Sequence, residues 1–509
     1  MLKKRKRYSP IVTFIFLTII TIIVSGFLSL LNVQTEYSTV NKVTNELVNN
    51  VIEVNNLLSV EGIKHIITTA TSGFVKFAPL ATLIITLIGI GVLEKSGFTK
   101  TAFTLITKNS KKNSVTFMLI FLSLIFSILG DIGFVVMLPL GALLFKYGRR
   151  NPLGGIIASF AGLSFGTGIN IFMSSTDSSL LSLTMMAAKT IDPKYKIGVF
   201  FSLFIMIVML IIISIIFTNI TEKKIMPRLP RIEYDEEEVI ITNKELRGLI
   251  IGLGIGFVYI LIIAYMIIPG LPLSGGLLDN NATYYIDKLF GANSLFNQGF
   301  IFIITILFVC IGFGYGFMAK TIKNTKDVTE SLAYSLDGIG SVLVLIFFAS
   351  LFINVFEQSN IGNVITAFLA GIISNLQFTG VWLIILVVLV IAISNLLCPS
   401  PIVKWTILSS TIIPLLMNAS ISPEFGQVMF AAGDSITNGI TPIFTYFVVY
   451  LAFLDKYNKN EMITTAGSIK YMIPYQACIT VVWIVVLIAW YMSGLPIGIG
   501  SLPGVIYGA

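Results

Sequence analysis

Residues 161–170 read Ala-Gly-Leu-Ser-Phe-Gly-Thr-Gly-Ile-Asn, and residues 432–441 read Ala-Gly-Asp-Ser-Ile-Thr-Asn-Gly-Ile-Thr. Laid over one another at an offset of 271, five of the ten positions are identical: Ala161/Ala432, Gly162/Gly433, Ser164/Ser435, Gly168/Gly439 and Ile169/Ile440. Each stretch interrupts an apolar segment, about 152–190 and about 425–455, with breaks expected at Gly166–Thr176 and Gly433–Pro442. Each segment follows another that is also interrupted. Residues 115–147 are broken by Gly130-Asp131-Ile132-Gly133, and residues 380–417 are broken from Asn395 to Pro401. The halves of these earlier segments are shorter than the roughly 20 residues that cross a ~30 Å hydrocarbon core. Each is therefore expected to be a re-entrant hairpin, entering and leaving on one side.

Further out lie simple apolar runs at about 11–31, 73–93, 198–217, 248–268, 299–318, 338–356 and 471–493. The 509-residue chain is 55% hydrophobic and 11% charged. Soluble domains carry about 25% charged residues, so these charges cannot cover a water-soluble globule of this size. Long runs without alternation exclude an outer-membrane barrel and predict an all-α integral membrane protein. The run at 11–31 exceeds the apolar length of a secretory signal and is read as an uncleaved first span.

The net charge is +8, which in a soluble chain would raise the question of nucleic acid. Here the basic residues fall in short loops. With the N-terminus inside and hairpins returning to their own side, 25 of the 33 Lys and Arg residues are cytoplasmic, although Lys189, Lys194 and Lys196 fall outside. That bias follows the positive-inside rule. It places a multi-pass protein in the inner (cytoplasmic) membrane with a cytoplasmic N-terminus, and it makes the two hairpins enter from opposite sides. Inverted repeats with helices broken at mid-membrane are the architecture of secondary transporters. The expected units are 1–114 (first spans and an external loop), 115–190 (first hairpin and broken helix), 191–379 (scaffold), 380–455 (second hairpin and broken helix) and 456–509 (last span). Residues 32–72 read as a small external cap, 218–247 as a solvated linker containing Asp235–Glu238, and 319–335 as an amphipathic surface helix.

A charged group at the bilayer centre costs about 2.5–3.5 kcal/mol, so charges near the breaks are candidates for function. They are Asp131 at the first hairpin tip, Asp177 after Ser174-Ser175-Thr176, Asp434 in the second break, and Lys404 beside Trp405 after the second tip. Ser164, Thr167, Asn170, Ser435, Thr437, Asn438 and Thr441 add neutral oxygens suited to sodium, and the aspartates suit a cation or a proton. Gly166, Gly168, Gly433 and Gly439 are expected to permit unusual backbone angles. The bland alternative is that the Asp and Ser residues only cap short helices.

No GxxxxGK[ST] loop for ATP occurs, and His65 is the sole histidine. The flanking pattern of an intramembrane aspartyl protease is absent. Cys310, Cys398 and Cys478 lack metal-ligand spacing. No enzyme activity and no metal beyond sodium are expected, and a channel or receptor without coupled transport is the remaining rival class.

Several stretches resemble the aminobenzoyl-glutamate transporter (AbgT) family: Phe77-Ala-Pro-Leu80, Gly89 through Gly97, Gly130 through Pro139, Ser175-Thr-Asp177, Lys404-Trp405 and Gly433 through Pro442. The resemblance runs over nearly the whole chain. It implies nine spans plus two re-entrant hairpins, a homodimer, and membership of a wider ion-transporter superfamily. It implies a substrate site at Asp177, Trp405, Asp434 and Pro442, and Lys404, the only basic residue near either break, is expected to join them by meeting the charge of an anionic solute. It also implies uptake of p-aminobenzoyl-glutamate or proton-driven export of folate-pathway compounds and sulfonamides. Two positions depart from the pattern. Ala431 stands where members often carry Arg, and Ile402 where they often carry Ser. An Arg is the natural partner of a carboxylate, so the charge of the solute is expected to differ.

Overall fold

In the computed structural model of the chain, the described residues are 8–41, 46–230, 232, 241–282, 285–291, 293–376, 378–458 and 463–504. The basic run Lys3–Arg7 and the acidic run Asp235–Glu238 lie outside them.

The fold is helical. Nine helices among the described residues are long and apolar enough to cross a membrane. The simple runs become Pro10–Leu30, Ala78–Ser96, Leu203–Ile220, Asn243–Met266, Leu295–Ala319, Ile339–Gln358 and Thr465–Ser493. Their starts follow local chemistry. Ser9 caps the first helix with Pro10 in its first turn. Thr242 and Glu245 form a reciprocal capping box before the fourth. Both devices satisfy amide groups that the first turn leaves unpaired.

Two features were not foreseen. The 32–72 loop contains an antiparallel pair of strands, Gln34–Val40 and Leu47–Glu53, followed by a helix, Val60–Val75. A further apolar helix, Ile361–Asn375, packs on both arms of the second interrupted segment and on the first strand. The expected amphipathic helix is present as Thr325–Ala333.

The interrupted segments are pairs of helices. Lys112–Phe126 and Asp131–Tyr147 flank a tip at Ser127–Gly130, where Gly130 adopts φ 53°. A side chain would strain that backbone. Gly380–Leu397 and Pro401–Asn418 flank the second tip, with Pro401 at the first position of its helix, where its missing amide costs nothing. The tips begin at Ser127 and Cys398, again 271 residues apart. The following helices are Pro152–Gly166 and Ser175–Lys189 around the first break, and Pro423–Asn438 and Phe447–Tyr457 around the second.

The second break is therefore later than expected. Gly433, Asp434 and Ser435 lie in the last turns of a continuous helix, and the unwound part begins at Gly439. Nor do the break glycines take left-handed angles, since none of Gly166, Gly168, Gly433 and Gly439 is among the positive-φ residues. Their use is close approach. A Cβ on Gly168 would collide with the carbonyl of Ala431, and one on Gly439 would lie 2.5 Å from the Phe165 ring.

Polar ties lock the base of the first pair. Lys146 bonds Glu94 at 3.0 Å, and Arg150 bonds Glu222 at 2.6 Å.

Candidate transport site

The two broken helices meet end to end. Asn438, the last residue of its helix, donates from Nδ2 to the hydroxyl of Thr167 at 2.9 Å, just past the end of the other. These two residues are themselves 271 apart, so equivalent positions of the two segments touch. Both ends are helix C-termini, and each carries about half a negative charge. Such a joint favours cations.

One cation is built in. Lys404 is fully buried, and its ammonium meets Asp434 Oδ1 at 2.6 Å, the Cys398 carbonyl at 3.2 Å and Asn395 Oδ1. The ammonium thus has one carboxylate to pair with and two further oxygens that accept its hydrogen bonds. Asn395, also fully buried, holds the cluster together. Its Nδ2 reaches the Asp434 carbonyl at 2.6 Å, Asn438 Oδ1 at 2.7 Å and Thr437 Oγ1 at 3.0 Å. Thr437 donates on to the Ala392 carbonyl, and Thr441 to the Leu396 carbonyl. Lys404 is consequently neutralised by the protein and is not free to meet a solute's carboxylate, as had been expected of it. At the 271 offset, Asn395, Lys404 and Asp434 fall over Leu124, Gly133 and Leu163. The charged cluster thus belongs to residues 380–455 only and has no counterpart in 115–190.

The first break is different. Asp177 does cap its helix, since Oδ2 accepts from Ser174 N at 3.0 Å, Ser174 Oγ at 2.7 Å and Asn170 Nδ2 at 3.0 Å. The capping alternative is thus realised at one oxygen. No described side chain pairs its charge with a basic group.

Each tip region also crosses to the other segment. Asp131 receives a hydrogen bond from the Tyr446 hydroxyl, and the Tyr446 ring stacks on Phe134 at 4.3 Å. At the equivalent position to Phe134 stands Trp405. Trp405 is fully buried, donates from Nε1 to Thr184 Oγ1 at 2.9 Å and packs on Phe430 at 4.4 Å. Ser164 and Ser435 occupy equivalent positions and donate to carbonyls of their own helices, at Phe160 and Ala432. Pro442 follows Thr441 within the second break.

Two cavities flank the joint. The smaller, about 40 Å3, is lined by Asn170, Asp177, Gln427, Phe430 and Ala431 among others. The larger, about 420 Å3, is lined by Ser174, Thr176, Ser178, Asp287, Asn297 and Ile402. Met173 lines both. The larger volume is in the range of small-molecule sites. Of the expected substrate residues only Asp177 lines a cavity, while Lys404, Trp405, Asp434 and Pro442 line neither. Gln427 was not singled out from sequence, although an amide inside an apolar helix was a signal. Asn395 was read only as part of a tip.

Helices of bilayer length surrounding two interrupted ones, with charge buried where those two join, define a class: a multi-pass membrane transporter. The comparisons narrow it, for the chain matches the AbgT putative transporter family over residues 6–504 and belongs to that family. It is 26% identical to the p-aminobenzoyl-glutamate transport protein of Escherichia coli (strain K12), over 97% of this chain and 94% of that protein. It is 30% identical to MtrF of Neisseria gonorrhoeae, described as illuminating a class of antimetabolite efflux pumps. That match covers 98% of each chain at a TM-score of 0.50. It is also 27% identical to the YdaH transporter of Alcanivorax borkumensis, described as having an unusual topology. That match covers 96% of this chain and 100% of that one at a TM-score of 0.48. The two positions read from the sequence as departures both line cavities. Ala431 lines the small cavity and Ile402 the large one.

Proposed function

We propose that the protein is an ion-coupled secondary transporter of the inner membrane, moving a small aromatic carboxylate of the p-aminobenzoyl-glutamate type. The observation that carries this reading is the Thr167–Asn438 joint, with a buried ion pair beside it and two cavities lined by the residues of the first break. Unwound helices that meet in the middle of a membrane free backbone groups for an ion and a solute. In this reading residues 115–190 and 380–455 are inverted repeats, each a re-entrant hairpin and a broken helix. The 32–72 loop caps the outer face, the N-terminus is cytoplasmic, and the assembly is a homodimer. Neither ATP nor a resident cofactor takes part; sodium or protons supply the drive.

The test is flux of labelled p-aminobenzoyl-glutamate into proteoliposomes under imposed sodium or proton gradients. Acceleration by either gradient is the expected result. Flux indifferent to both would leave a channel, and binding without flux a receptor. A second reading, export of sulfonamide-type antimetabolites, is favoured by the likeness to MtrF. Cells expressing the protein would then show raised sulfonamide tolerance that depends on the same gradient.

Ala431 and Ile402 replace polar positions on the cavity walls, which selects a less anionic solute than a wall carrying Arg would. Ala431→Arg is expected to raise the preference for a dicarboxylate over its neutral amide analogue about tenfold, as one charge-assisted contact would. Competition assays with paired analogues check this. An unchanged ranking would remove position 431 from the solute path.

A further inference from the structure

We propose that the small cavity at the first break is a sodium site, with Asp177, Asn170 and Gln427 as its side-chain ligands. The inference rests on the transport reading above but concerns a property, sodium binding, that can be measured without any solute.

The cavity is lined by three side chains that offer oxygen. Asn170 uses its Nδ2 on Asp177 and on the Thr167 carbonyl, so its amide orientation is fixed, and its Oδ1 is buried without a hydrogen-bond partner. Gln427 is 4% exposed, and its Oε1 is likewise buried and unpartnered. Asp177 spends Oδ2 on three donors, and no described residue donates to its Oδ1. Buried acceptors normally find a donor. Two orphan amide oxygens and one carboxylate oxygen thus belong to residues that line a single small cavity, a donor set that suits a ligand bringing positive charge and requiring no acceptor.

Size and field agree. About 40 Å3 holds an ion and a residual water, since a water needs roughly 10–15 Å3 by the same measure. The helix Pro152–Gly166 ends two residues before Gly168 of the cavity wall with its C-terminal partial negative charge, which favours a cation, while the opposing N-terminal end of Ser175–Lys189 is already capped by Ser174 and Asp177. The unwound backbone from Thr167 to Met173 supplies carbonyls of the kind that complete sodium shells in broken-helix transporters. Lys404 cannot neutralise Asp177 instead, because its ammonium is already paired with Asp434. The molecule therefore carries two cation positions at one joint, a fixed ammonium on the second segment and an exchangeable ion on the first.

The experiment titrates sodium chloride into the purified full-length protein, without solute, and follows thermal unfolding at constant ionic strength with potassium as the replacement. Wild type is expected to show a saturable, sodium-specific rise in Tm. Gln427→Leu removes one ligand and should raise the half-saturating sodium concentration at least about tenfold, while Gln427→Glu, which restores an oxygen, should not. Ala431→Arg provides a second variant that removes no ligand. Without solute its guanidinium has no carboxylate to meet but Asp177 on the same cavity wall, where it competes with the ion, so its Tm should no longer respond to sodium. Equal Tm values for wild type in sodium and potassium would overturn the site. So would an unaltered sodium response in both Gln427→Leu and Ala431→Arg. Sodium-specific stabilisation without solute flux would uphold the site and defeat the transport reading instead.

Discussion

Asp434→Asn is expected to abolish transport and to destabilise the protein by about 3–5 kcal/mol, the usual result of stripping one partner from a buried ion pair. Lys404 would be left with its charge, fully buried and short of one acceptor. The double variant Lys404→Met/Asp434→Asn removes both charges and should recover most of the stability, because apolar replacements of buried pairs are often neutral. It should recover none of the transport. Thermal unfolding beside proteoliposome flux separates the two effects. Wild-type flux in the double variant would reduce the pair to a structural tie.

Trp405→Ala carries the second large expectation. The ring is fully buried against Phe430, with its N–H on Thr184. Truncating a buried Trp costs about 3–5 kcal/mol in lost burial and cavity formation. Trp405→Phe keeps most of the packing and loses mainly one hydrogen bond, about 1 kcal/mol. The order Ala far below Phe in Tm, with solute affinity of the Phe variant near wild type, is the expected outcome. A Phe variant that folds normally but loses affinity would instead return the indole to the solute path.

Much of this organisation was legible in the sequence. The apolar runs gave the long helices with ends displaced by no more than six residues, because a helix in lipid must be apolar for most of its length. The repeat at an offset of 271 also pointed to Thr167 and Asn438, which the structure brings into contact. What the sequence hid were contacts made across segments. Gly433 looks like a helix break but is a packing position, since a Cβ there would strike Ile391 and the Val388 carbonyl. Lys404 looked available because nothing local neutralises it; its partners Asp434 and Asn395 come from other helices. Gln427 stood out only as an amide in an apolar helix, and its place at the first break came from how that helix packs. The strands at 34–40 and 47–53 were hidden by a polar loop without hydrophobic alternation.

The Lys404–Asp434 bond also constrains how the chain enters the bilayer during synthesis. Pro401–Asn418 and Pro423–Asn438 are 18 and 16 residues long, at and below the short end of the range that spans. Each carries one member of the pair, at about 2.5–3.5 kcal/mol of insertion penalty apiece if central. Neither is a good client for the translocon by itself, and each cancels the other's penalty. The two segments are thus expected to leave the translocon together, with the earlier one waiting at its mouth until the later one has been made. A ribosome pause between them would prolong the most exposed moment in the biogenesis of the protein.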